Sequence, residues 1–197
     1  QKHIFKISGY EPPISNQLSK EKKAIYINVS KVIKNPDGFS IKTKNDAVYI
    51  EGGNKKGCIY GVVTLLEKYM GCRYYSSTYS VIPSTKSINL PEIDLKDEPK
   101  NDCRIVYIVD KVGQEFLDWN RLNTVDEIFA KGYYVHTFEK LVPWKEYFKT
   151  HPEYFSEMNG RRNIDQLCLS NPEVLKLTIN KLKMEMALQP NEEYWSV

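Results

Sequence analysis

Three carboxylates, Asp110, Glu139 and Asp165, fall at or near the ends of short apolar runs. A pair of carboxyl groups held across a bond can act as acid and as base or nucleophile. Each also reads plainly as a loop or capping residue. His136 sits in "VHTF". It is either a satisfied core histidine or a binder of hydroxyl or carboxylate groups. Gln166 opens "QLCLS", and its amide both donates and accepts, which suits a hydroxyl partner. Arg104, in "CRIVYIVD", is a candidate substrate contact or one half of an ion pair near a domain junction. Arg161 and Arg162 could recognise an anion, or simply form a basic turn after Asn159-Gly160. No metal site is expected, because His3, His136 and His151 lie in unrelated contexts and no cysteine pair has zinc spacing. No cofactor is expected either, since no glycine-rich phosphate motif follows a strand. The four cysteines, Cys58, Cys72, Cys103 and Cys168, are expected as free buried thiols, with a Cys58–Cys72 bridge left open.

Two patterns of elements would have to position these residues. Up to about residue 99, "HIFKI" and "AIYINV" read as strands. "GFSIKTKNDAVYIEGG" reads as a hairpin turning at Asn45-Asp46, residues that tolerate left-handed backbone. Residues 57 to 70 carry apolar side chains at helical spacing and end at Gly71, which predicts one amphipathic helix on a small sheet. A proline-bearing stretch then closes an α+β domain over residues 1–99. Beyond it, "CRIVYIVD", "YYVHTF", "DQLCLS" and "EEYWSV" read as strands separated by helical segments. The last helix has Asn171 as N-cap and Pro172 at its first position. Alternating strand and helix over 100–197 predicts a parallel α/β arrangement, and with no nucleotide motif a barrel is preferred to an open sheet.

Composition narrows the partners. The chain has 197 residues and a net charge of +3, from 28 basic residues mixed with 25 acidic ones. That balance is too weak and too dispersed for a nucleic-acid reader. No apolar run reaches membrane-spanning length. Fourteen tyrosines and three tryptophans exceed what a core alone demands. Aromatic rings also stack on the C–H faces of sugars.

The stretch from Gly57 to Gly61, then Leu66-Glu67, Gly71-Cys72-Arg73, Glu98-Pro99 and Arg104, resembles the small domain before the barrel in bacterial β-hexosaminidases and α-glucuronidases. The second half, with His136-Thr137-Phe138, His151 to Phe155 and Gln166 to Val174, is similar to a large group of bacterial proteins with a glycosidase-like barrel. The resemblance implies an α+β domain followed by the first part of a (β/α)8 TIM barrel over 100–197. It implies a glycoside hydrolase acting on polysaccharide or glycan fragments at the C-terminal face of that barrel. His136, Arg104 and Gln166 would bind substrate. The catalytic carboxylates, a pair in most such enzymes, are expected beyond Val197, so the chain itself should be inactive. Export to the periplasm or cell surface is expected, with the leader absent, and a partial barrel should self-associate. A non-catalytic carbohydrate-binding or scaffold protein on the same fold is the alternative, and an α/β domain without a sugar role is a third.

Overall fold

The computed structural model describes residues 1–17, 23–107 and 112–197. Its contacts form two compact units, Gln1–Asn123 and Thr124–Val197. The fold is mixed α+β, with small sheets and several helices. Asp110 lies outside the described residues.

The first unit opens with a correction. "HIFKI" is not a strand but part of helix α1 (Lys2–Ser8). Its β-branched and aromatic residues suit a strand by composition, yet packing decides: Ile7 is buried with Val63, Leu66, Cys72 and Trp119. Gly9 then closes the helix with φ 75°, its N–H donating to the Phe5 carbonyl.

The chain continues through β1 (Ile25–Val29), β2 (Phe39–Lys44), β3 (Ala47–Gly52), α2 (Lys55–Thr64), β4 (Arg73–Ser76), β5 (Tyr79–Val81), β6 (Asp94–Asp97) and α3 (Gln114–Trp119). One sheet has the order β1-β3-β2-β6, with β1 parallel to β3 and the other pairs antiparallel. The expected hairpin joins β2 to β3, and Asn45 and Asp46 both take left-handed backbone, φ 52° and 63°.

Helix α2 also differs from expectation. It is not amphipathic but buried on two sides. Tyr60, and Leu65 just beyond the helix, face the sheet with Phe39, Ile41, Val48 and Ile50. Val63, and Leu66 in the next turn, face Trp119 and Ile7. A helix packed on two sides needs apolar residues on both of them. Two glycines let it sit this close. A Cβ on Gly61 would fall 2.5 Å from Cγ2 of Ile50, and one on Gly57 would fall 2.4 Å from the Gly38 carbonyl oxygen. A π turn over Leu65–Tyr69 follows, and Arg73 donates to the carbonyls of Glu67 and Cys72 at its end. Cys58 and Cys72 are buried and unbridged, and burial pushes both thiols up. Cys103 is exposed rather than buried.

The unit runs past the expected junction at 99 because two arginines fasten its last segment. The described part of "CRIVYIVD", residues 103–107, forms no strand. Instead Asn123 plays the part of a partner strand for one residue: its side-chain oxygen accepts from the Arg104 N–H, and its own N–H donates to the Arg104 carbonyl. Arg121, at φ 53°, donates to Asp97 and to Thr64 Oγ1 at 2.8 Å each and rests over the Phe39 ring.

The second unit is built from short pieces: α4 (Phe138–Leu141), α5 (Trp144–Tyr147), a 3-10 turn (Pro152–Tyr154), β7 (Phe155–Met158), β8 (Arg161–Leu167) and α6 (Pro172–Leu188). Its core holds Ala130, Tyr133, Leu141, Val142, Tyr154, Phe155, Leu167 and Val174. "YYVHTF" is not a strand. Tyr133 is buried, and His136 turns the chain with φ 54°. "DQLCLS" belongs to an antiparallel hairpin, not a parallel wall. Asn159 and Gly160, at φ 53° and 73°, make the two-residue turn between β7 and β8. The "HPEYF" loop follows directly on α5 and is fastened to the start of α6. Asn171 caps α6 by accepting from the Glu173 N–H at 2.9 Å, while its amide donates to the Glu153 carbonyl at 3.2 Å. The Cys168 N–H donates to the Tyr154 carbonyl at 2.8 Å.

"EEYWSV" forms a single parallel bridge, Tyr194 with Phe129. The Ala130 N–H donates to the Tyr194 carbonyl, the Ser196 N–H donates to the Tyr133 carbonyl, and Trp195 packs on Tyr133 at 4.8 Å between ring centroids. Among the described residues no helix is long and apolar enough to cross a membrane.

Candidate functional site

The second unit contains a cleft of about 250 Å³. Its floor is core: Val142, Phe155 and Leu167 are buried there. Phe138 and Glu139 reach it from α4, Trp144 from the start of α5, and Ile164, Asp165 and Gln166 from β8.

That four successive residues, Ile164 to Leu167, should line one cleft breaks the rule of a strand, in which neighbours point to opposite faces. The reason is an irregularity in the hairpin. Glu157 pairs with Arg162, but Phe155 pairs with Leu167, so β8 carries extra residues between those two rungs. The bulge frees residues 163–166 from alternation. Asn163 shapes it: its side-chain oxygen accepts from the Asp165 N–H at 2.8 Å. A short local hydrogen bond thus aims a carboxylate and an amide at the same space.

The polar rim is open. Glu139, Asp165 and Gln166 are exposed, and their side chains have no hydrogen-bond or ion-pair partner among the described residues. The cations nearby make contacts of their own. Arg162 pairs with Glu157 at 3.2 Å and donates to the Phe155 carbonyl at 2.9 Å. Lys140 donates to the Gly132 carbonyl at 2.8 Å, and Lys145 rests over the Trp144 ring, 5.6 Å from its centroid. The arrangement offers half-buried aromatic surface beside two carboxylate acceptors and one amide that donates and accepts. Among the described residues no group of three or more His, Cys, Asp or Glu side chains could hold a metal ion.

The other residues singled out from sequence lie elsewhere. Arg104 is in the first unit, and its five N–H donors are all engaged. Nε donates to the Arg121 carbonyl, Nη1 to the carbonyls of Asn101 and Asp102, and Nη2 to the Asp37 carboxylate and the Tyr60 hydroxyl. The ion-pair reading of Arg104 is the one this geometry realises. His136 is exposed, so it is no core histidine, but it does not line the cleft although Phe138 does. Arg161 stands beside the hairpin turn, away from the cleft. His151 stacks on Tyr154 with centroids 4.6 Å apart and pairs with Glu153 at 3.0 Å, which holds the loop in shape. Backbone and His151 hydrogen bonding hold the Glu153 carboxyl below its usual range. Cys168 is only partly buried, and its bond with the Ser170 hydroxyl, helped by Arg162, lowers its thiol.

The cleft also takes in two aromatic residues, Phe138 and Trp144. Nothing in their local sequence distinguishes them from packing residues. The Asn159-Gly160 pair was the available signal, since it marks a hairpin that folds Asp165 and Gln166 back over this region.

The family described as Domain of unknown function (DUF4838) matches residues 74–197. The chain belongs to that family. The DUF4838 match begins within β4 and takes in every residue of the cleft. No curated protein and no solved structure matches the sequence.

Proposed function

We propose that this DUF4838 chain is part of a carbohydrate-active protein, a glycoside hydrolase, and that the cleft of its second unit holds saccharide. The observation that carries the reading is the bulge in β8, which turns Asp165 and Gln166 toward Trp144 and Phe138. Aromatic faces meet the apolar C–H face of a pyranose, and the carboxylates and amide meet its hydroxyls. A regular strand would have sent one of the two polar side chains to the opposite face.

In this reading residues 100–197 are the opening part of a (β/α)8 barrel. The parallel bridge of Phe129 with Tyr194 supports it, because the chain between them carries α6, and parallel pairs need such crossovers. Saccharide binding without hydrolysis is the second reading. It is favoured by Glu139 and Asp165 standing exposed at the rim, well placed as acceptors for hydroxyls.

Titration calorimetry of the chain with neutral oligosaccharides tests the reading. Binding is expected, and Gln166→Ala should weaken it about three- to tenfold, the scale of a lost hydrogen bond, with the melting temperature nearly unchanged. Binding that ignores Gln166→Ala would remove this cleft from consideration. No hydrolysis of aryl glycosides by this chain is expected. Turnover abolished by Glu139→Gln would move catalysis into the cleft.

A further inference from the structure

We propose that the cleft sorts saccharides by charge, preferring an amino sugar with a free ammonium group, then a neutral sugar, and rejecting a uronate. The inference rests on the saccharide reading above and goes beyond it. The chain as a whole is basic, at +3. The cleft is not. Its charged lining is Glu139 and Asp165, with no lysine, arginine or histidine among the lining residues.

This opposes what the resemblance to α-glucuronidases implies, since those enzymes recognise a sugar carboxylate. Recognition of that group calls for a free guanidinium or ammonium donor. Arg162, one of the two arginines that sequence offered for it, is bound to Glu157 and the Phe155 carbonyl. The other, Arg161, stands at the hairpin turn outside the cleft. Lys140 donates to the Gly132 carbonyl, and Lys145, over the Trp144 ring, is not among the lining residues. A uronate entering the cleft would meet two like charges at its rim. An ammonium group would meet two acceptors with no competing ion-pair partner among the described residues. A neutral sugar would meet neither penalty nor gain, only hydrogen bonding and stacking.

Three tetrasaccharide probes of equal length decide the matter: a glucosamine tetramer, an N-acetylglucosamine tetramer and a galacturonate tetramer. Each is titrated into the chain near pH 6, where exposed carboxylates are ionised, at low and at high salt. The glucosamine tetramer should bind about three- to tenfold more tightly than its acetylated counterpart at low salt, and high salt should shrink the difference. The double variant Glu139→Gln, Asp165→Asn should abolish that advantage, so that the glucosamine and acetylated probes bind within about twofold of each other whatever both lose in hydrogen bonding, the exposed positions sparing the fold. Tightest binding by the galacturonate tetramer would overturn the charge inference and leave the saccharide reading standing. So would an ammonium preference that survives in the double variant, or equal affinity for all three probes. If the folded chain binds none of the three, the saccharide reading itself falls, and the inference with it.

Discussion

Two arginines of the first unit commit their donors to the fold, while the second unit leaves three polar side chains open around a cleft. Arg104 engages every donor it has with the fold, and Arg121 divides its guanidinium between Asp97 and Thr64. In the second unit Glu139, Asp165 and Gln166 stand around a cleft without protein partners among the described residues. An arginine is the residue most readily taken for a ligand contact, yet here it is a fastening. Three side chains with loop-like local sequence stand free beside the cleft instead. For Arg104, full hydrogen-bonding capacity marks a structural role that residue type alone would not.

The strongest way to break that contrast is Arg104→Met. Removing the guanidinium strands a largely buried Asp37 carboxylate and several carbonyls, at a cost of about 3 kcal/mol. Urea denaturation should show this loss, and saccharide binding by the folded remainder should be unchanged. A variant of native stability that no longer binds sugar would return Arg104 to the ligand and reverse the comparison. Next in size is Asn171→Ala. It removes the cap of α6 and the tie to the Glu153 carbonyl, and about 1 kcal/mol of stability should go. If the cleft depends on that tie, saccharide affinity falls too; an unchanged denaturation midpoint would mean that the loop and helix are held by packing alone.

The smallest effect sharpens the first unit. His3 lies against Trp119. Burial lowers its pKa from the ordinary value of 6.5, with Lys2 and Lys6 adding to the shift and Glu115 opposing it. A lowered value means that the unfolded chain takes up the proton first. The stabilising contribution is therefore complete above about pH 6.5 and is lost as pH falls through that value. The midpoint of denaturation should drop between pH 7.5 and pH 5.5 by more in the wild type than in His3→Gln. Equal drops would show that some other group carries the acid sensitivity.

What could be read directly from the chain was what local chemistry decides. Asn45-Asp46 makes its turn because both residues tolerate left-handed backbone, and Asn171-Pro172 starts its helix because a side chain caps it. The misreadings share one cause. "HIFKI", "CRIVYIVD" and "YYVHTF" are rich in strand-forming residues, but a strand needs a neighbour to pair with. In their described residues those runs instead meet a helix packing site, an arginine clamp and a left-handed turn at His136. Gln166 stands out in the sequence because an amide before an apolar run is conspicuous. Its company does not, because the cleft depends on a register shift between β7 and β8 and on the return of that hairpin over α4 and α5. Neither is encoded in any short window of residues.

The bridge between Phe129 and Tyr194 sets an order of events in time. Those two residues stand near opposite ends of their unit, with the hairpin and α6 between them. Closing so long a span costs chain entropy that the β7–β8 turn and α6 do not incur, since each forms from near neighbours. Hairpin and helix should therefore assemble early, and the parallel contact should be the last to close and the first to part. Hydrogen exchange would register this as amides of Ala130 and Ser196 exchanging well before those in the middle of α6. The cleft, lined by the hairpin and by α4 and α5 rather than by the bridge, would keep its shape through such openings.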